Sequence, residues 1–262
     1  MAIFNIEYHS EVLGMDRNVN VILPDLVDLA EGATLEDTPV LYLLHGMGGN
    51  HNTWLKRTAI ARLIRHTKLA VVMPSTDLAW YSNTQYGLNY FDALAIELPR
   101  KIQQFFPQLA KSREKNFVAG LSMGGYGALK LAFLTEQFSY AASLSGAIAF
   151  KDVDPYELGT KEYWHGVFGD FPQLLTTDEN LSIAAKGQVD KGQKLPKLYL
   201  WCGHQDFLYP ANLSMAADLK PLGYDLTFES ADGTHEWYYW AKQINRVLEW
   251  LPIDYVKEER LS

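Results

Sequence analysis

Gly120-Leu121-Ser122-Met123-Gly124 sets one hydroxyl between two glycines. Phe117, Val118 and Ala119 before it are apolar and β-prone, and Tyr126, Ala128, Leu129, Leu131, Ala132 and Phe133 after it follow a helical period. A serine at such a junction fits G-x-S-x-G, the nucleophile elbow, in which the turn from strand to helix is too sharp for side chains at the glycine positions. The serine is then held in a strained conformation with its hydroxyl above the sheet. The following helix points its N-terminus at the site and favours negative charge there. The chemistry such a residue can do is nucleophilic attack on an acyl carbon, provided a base removes its proton.

The chain has seven histidines. For this elbow the chain order is serine, acid, histidine, which leaves His165, His204 and His235 downstream of Ser122. His235 lies in "SADGTHEWYYW", between the last strand pattern and the last helical pattern, where a base can reach back over the sheet. His165 falls in a region that reads as a wall, and His204 stands too near Asp206 to take its support. Asp206, in "WCGHQDFLYP" after the penultimate strand pattern, is the expected acid. It would accept the second N–H of the imidazole and fix its tautomer. Asp190 precedes that strand, Asp225 lies in or beside the next, and Asp232 competes from the histidine's own loop.

A developing oxyanion needs preorganised donors. The N–H of Met123 is one expectation. The second comes from "HGMGGNHNTW", where glycines let the backbone approach a substrate; Met47 is the assigned donor and Gly46 the fallback, with His45 orienting the loop. No phosphate-binding glycine pattern follows a strand, and neither H-E-x-x-H nor CxxC spacing occurs. Cys202 reads as a small buried hydrophobe. Among the aromatics of the candidate loops (Trp80, Tyr81, Tyr86, Trp164, Phe168 and Trp237), Trp237, Tyr86 and Trp164 are the expected substrate contacts. They would leave room for acetyl to butyryl groups.

The elements that must position these groups are strand–helix alternations. Apolar runs at Val19–Pro24, Pro39–Gly46, Lys68–Ser75, Asn116–Ser122, Tyr140–Ala147, Pro196–Gly203 and Tyr224–Ser230 are mostly continuous, as in strands covered on both faces. Helical patterns occupy 58–67, 90–106, 125–135, 212–223 and 235–251. The expectation is an α/β fold: one domain over residues 1–262, mostly parallel, with helices on both faces. Ile3–Tyr8 and Val19–Leu23 form an antiparallel edge hairpin, and 150–194 is a cap-like insertion.

The 262 residues carry a net charge of -8. An acidic surface repels phosphate backbones and anionic lipid, so nucleic acid and membrane are not expected partners. No window approaches the roughly 20 apolar residues of a membrane span. The first residues lack the basic-then-apolar pattern of a secretory signal, and the single cysteine allows no internal disulfide. The expected location is the cytoplasm.

Together, "LYLLHGMGGNHNTW", "GLSMGGYGALKLA", "WCGHQDF" and "GTHEWYYW" resemble the esterase D and S-formylglutathione hydrolase branch of the α/β-hydrolases, most closely the bacterial tributyrin esterases. The resemblance runs over essentially the whole chain. It implies a cytoplasmic serine carboxylesterase for short acyl esters, without metal or organic cofactor and often a homo-oligomer. It places Ser122, Asp206 and His235 on the triad and Met47 and Met123 on the oxyanion donors. The insertion is unlike that of the true S-formylglutathione hydrolases. A thioesterase or an acyltransferase with a sugar or alcohol acceptor uses the same triad, and a non-catalytic binding protein on this fold would lack one of its members.

Overall fold

The computed structural model describes residues 1–150, 158–170 and 174–257. Eight strands form one sheet: β1 (Ala2–Ser10), β2 (Met15–Leu23), β3 (Val40–Leu44), β4 (Ala70–Pro74), β5 (Asn116–Leu121), β6 (Tyr140–Leu144), β7 (Lys197–Gly203) and β8 (Leu226–Ala231). Their spatial order is β1-β2-β4-β3-β5-β6-β7-β8. β1 and β2 form the expected antiparallel hairpin, and β2 pairs antiparallel with β4. From β4 to β8 every pairing is parallel. The continuous apolar runs belong to strands with every residue buried, as in β3 and β4, because helices cover both faces.

One apolar layer holds the helix Met123–Leu134, and the other holds Trp54, Ile60 and the C-terminal helix Trp237–Trp250. Burying both faces fixes the register, since a one-residue slip would turn every side chain over. In that register Leu44 lies beside Gly120, Gly120 beside Ser143, and Gly203 beside Ala231. The loops after β3, β5, β7 and β8 therefore open at one rim.

Two helical expectations are shorter or more broken than the pattern. Of residues 58–67 only Ile60–Leu63 is α-helical; Thr58 interrupts, its Oγ1 accepting the N–H of Ile60 at 3.2 Å. The stretch 90–106 contains a π-helical turn, Ala93–Glu97, ahead of Leu98–Phe105. Pro99 has no N–H to donate and relaxes the ladder there. Buried Glu97 accepts Ser10 Oγ at 2.5 Å and the Glu11 N–H at 2.7 Å, anchoring the end of β1.

The described part of the insertion contributes both to a cleft at Ser122, through Leu158, and to the packing of the elbow helix. The second half of the insertion contains the helix Leu181–Asp190, which crosses from β6 toward β7 and packs on the elbow helix, with Gln188 Nε2 donating to the Ala132 carbonyl at 3.0 Å. Buried Lys130 of the elbow helix donates to Glu179 at 2.6 Å and to Ser82 Oγ at 2.7 Å. Burial pulls its ammonium pKa down while the carboxylate opposes that shift. Part of the insertion, 151–157 and 171–173, lies outside the described residues.

Candidate active site

Ser122 has φ 53° and ψ -122°, a backbone conformation that L-residues with a side chain rarely adopt. The flanking glycines have a steric cause. A Cβ on Gly120 would stand 2.2 Å from the Gly124 carbonyl oxygen, and one on Gly124 would stand 2.5 Å from the Leu44 oxygen. The elbow thus presses against both its own helix and the end of β3.

His235 and Asp206 come to this serine from separate loops. His235 Nε2 lies 3.1 Å from Ser122 Oγ, and its Nδ1 lies 2.9 and 3.0 Å from the two Asp206 oxygens. Asp206 is buried, and its Oδ1 also accepts the Leu208 N–H at 2.9 Å. The two loops fit because Gly203 leaves space: a Cβ there would meet the Gly233 oxygen at 2.2 Å. The ring of His235 is further held between Phe207 and Trp240, each with its centroid 4.8 Å away. Trp240 Nε1 donates to Ser145 Oγ at 3.0 Å, and Ser145 is itself at φ 47°.

The competing groups are turned elsewhere. His204 faces Asp232 at 3.2 Å and Ser230 Oγ at 3.1 Å, and Gln205 Nε2 also donates to Asp232. His165 is exposed and does not line the cleft. Cys202 is buried, and desolvation with the nearby Asp206 charge pushes its thiol pKa well up, which keeps it protonated.

The loop after β3 lies against the serine: a Cβ on Gly46 would come within 3.4 Å of Ser122 Cβ and 2.6 Å of Leu121 Cδ1. His45 Nδ1–H donates to the Gly46 carbonyl at 2.8 Å, and Gly49 N–H reaches the same oxygen at 3.0 Å. Since a trans peptide holds its C=O and N–H in opposite directions, this fixes the Met47 N–H away from His45. Among the described residues no acceptor is found for the N–H of Met47 or of Met123.

Accepting the Thr76 N–H at 3.0 Å through Nε2, His45 is bonded through both ring nitrogens. Burial pushes its pKa down from 6.5 to about 4. An unfolded chain takes up this proton near pH 6.5, the folded chain only near pH 4. The stability it supports is therefore complete above pH 6.5 and falls by about 3 kcal/mol toward pH 4. Urea midpoints should drop measurably between pH 6.5 and 5, and His45→Asn should flatten that slope. An equal slope in the variant would show that His45 is not its source.

A cleft of about 640 Å³ opens at Ser122 and His235. Of the expected substrate contacts, only Trp237 lines it. Tyr86 points to solvent, 55% exposed, from a loop tied by backbone to Gly166. Trp164 is buried behind the cleft, stacked on Phe168 and 5.0 Å from Trp80. Trp80 and Tyr81 both have positive φ; Trp80 reaches the lining, while Tyr81 supports the loop from behind by donating its hydroxyl to the His45 carbonyl at 2.8 Å. Phe207, Trp240, Leu158, Lys56 and Arg57 also line the cleft and were not anticipated. Phe207 was signalled by its place next to Asp206, and Trp240 by its i, i+3 spacing from Trp237 on one helix face.

Known proteins share this architecture. The model of the Esterase family matches residues 10–251. An acetyl esterase of Caldicellulosiruptor saccharolyticus is 32% identical, over 96% of this chain and 98% of its own. The fluorophosphonate-binding serine hydrolase F of Staphylococcus aureus, solved with substrate bound, superposes with a TM-score of 0.86 at 33% identity, covering 95% of this chain and 98% of its own. An S-formylglutathione hydrolase from the same organism gives 0.83 at 32%, with the same coverage of both chains. With an α/β-hydrolase sheet and a family match running from the edge hairpin to the end of the last helix, the chain belongs to the Esterase family and is a carboxylic ester hydrolase of the serine type.

Proposed function

We propose that Ser122, His235 and Asp206 hydrolyse short-chain acyl esters, acetyl to butyryl, through an acyl-enzyme on Ser122. The observation that carries this reading is His235 bridging the serine hydroxyl at 3.1 Å and the buried carboxylate at 2.9 Å. Ser122 Oγ attacks the acyl carbon while His235 Nε2 takes its proton, and Asp206 accepts Nδ1–H and stabilises the imidazolium. The N–H groups of Met47 and Met123 receive the oxyanion; the fixed Gly46 carbonyl favours Met47 over Gly46 as the second donor. His235 then protonates the leaving alcohol. Water repeats the cycle and frees the acid.

Trp80 closes one side of the cleft with buried aromatics behind it, which supports a short acyl pocket. The expected result is a fall in kcat/KM from C4 to C12 aryl esters; a rise across that series would refute the short pocket. A fluorophosphonate probe should add one label, at Ser122, by peptide mass, and a label elsewhere would refute the assignment.

The identity to an S-formylglutathione hydrolase supports a second reading, hydrolysis of small S-acyl thiols by the same residues. A panel of acetylated carbohydrates, glycerides and S-acyl thiols, with products assayed with and without alcohol acceptors, separates ester, thioester and transfer activities. The reading extends to one catalytic domain over 1–262, working as a cytoplasmic homo-oligomer, which light scattering of the purified protein tests. Among the described residues no helix is long and apolar enough to cross a membrane.

A further inference from the structure

The cleft at Ser122 is lined by two cations, Lys56 and Arg57, and by no acidic residue among those described. Both also line an adjoining cavity of about 600 Å³, whose walls add Arg62 and Lys257, each of them already engaged, Lys257 with Glu249 at 2.6 Å. A basic groove beside the nucleophile is unexpected in a chain of net charge -8. Many other cations of this protein are neutralised, for example Arg17 by Asp77 and Lys101 by Glu11. Among the described residues Lys56 and Arg57 take part in no ion pair with a carboxylate. Both side chains are solvent-exposed, so they attract an entering anion as surface charges that salt screens.

Their position relative to the chemistry follows from the chain. Lys56 and Arg57 end the short helix Thr53–Arg57. Trp54 of that helix meets the ring of Trp237 edge-on at 5.3 Å, and Trp237 opens the helix directly after His235. The adjoining cavity is bounded on its other side by Ala241 and Asn245 of that same helix. The cations thus lie where the short helix meets the helix that follows His235.

We propose that Lys56 and Arg57 form an anion subsite for the leaving portion of the substrate, so that the preferred ester carries a carboxylate or phosphate on its alcohol side. This deepens the esterase reading above and rests on it. Two matched pairs of probes test it: acetylated glycerol 3-phosphate against monoacetylglycerol, and O-acetyl-4-hydroxybutanoate against its amide. At low ionic strength kcat/KM should favour the anionic member of at least one pair by about 3- to 10-fold, the scale of exposed ion pairs. The arm that shows the larger ratio identifies the anion. In 0.5 M salt the ratio should fall toward one, and Lys56→Gln with Arg57→Gln should bring it there at low salt too. Equal rates within both pairs, a ratio that survives the double substitution, or a preference confined to an anion on the acyl side, as in 4-nitrophenyl hemisuccinate, would overturn the subsite while leaving the esterase reading intact. No turnover of any probe, with Ser122 also refusing a fluorophosphonate, would refute the esterase reading and the subsite with it.

Discussion

Ser122→Ala should lower kcat on a short-chain aryl ester by about 10³-fold or more, with KM little changed. On the proposed mechanism the alanine retains the oxyanion donors and the cleft but has no oxygen to acylate, so what remains is the catalysis that positioning and hydrogen bonding supply without a nucleophile. The stability of this variant should stay close to that of the parent, because alanine keeps a Cβ at φ 53° and with it the local strain. Ser122→Gly should be equally inactive yet melt higher, since glycine relieves a strain of about 1–3 kcal/mol. Opposite signs in activity and stability at a single position are the signature of a strained nucleophile. Wild-type turnover by the alanine protein, on a preparation checked by mass, would show that Ser122 is not the attacking group.

The second large effect is on folding. Gly120→Ala places a methyl 2.2 Å from the oxygen and 2.4 Å from the carbon of the Gly124 carbonyl. Both are backbone atoms of a helix packed on the central sheet, so no side chain can swing aside. Separating them means moving the elbow helix, which carries eleven buried residues, off β5. The expected loss exceeds about 4 kcal/mol, a large part of the roughly 5–15 kcal/mol that holds an ordinary domain together. The variant should be recovered unfolded or with a greatly lowered Tm. Gly187→Ala is its counterpart: it lies in the helix Leu181–Asp190 with nothing within 4 Å of the added methyl. There alanine should stabilise by about 0.5–1 kcal/mol through helix propensity. A Gly120→Ala protein melting at the parent's temperature would contradict the close packing of the elbow.

What was legible in the amino acids was whatever depends on local pattern or chain order. The glycines around Ser122, the run of buried strands and the edge hairpin follow from sterics and hydrophobic periodicity that act over a few residues. The order serine, acid, histidine directed attention to Asp206 and His235 because loops at strand ends in this fold share one rim. What the sequence left open needed directions in space. Asp232 is the nearer carboxylate to His235 along the chain, whereas Asp206 is 29 residues away; only the β7–β8 register, closed tightly by Gly203 against Gly233, turns Asp206 inward and leaves Asp232 to His204. Tyr86, Trp164 and Trp237 are alike in composition and loop setting, yet one faces solvent, one is stacked in the core and one lines the cleft. Nothing local to Lys56 and Arg57 marks them as lying across from the C-terminal helix. An aromatic or a cation carries no local mark of the wall it will face, because that is decided by the packing of elements distant in sequence, whereas a glycine forced by a 2.2 Å contact or a strand buried on both sides shows its cause in the residue type itself.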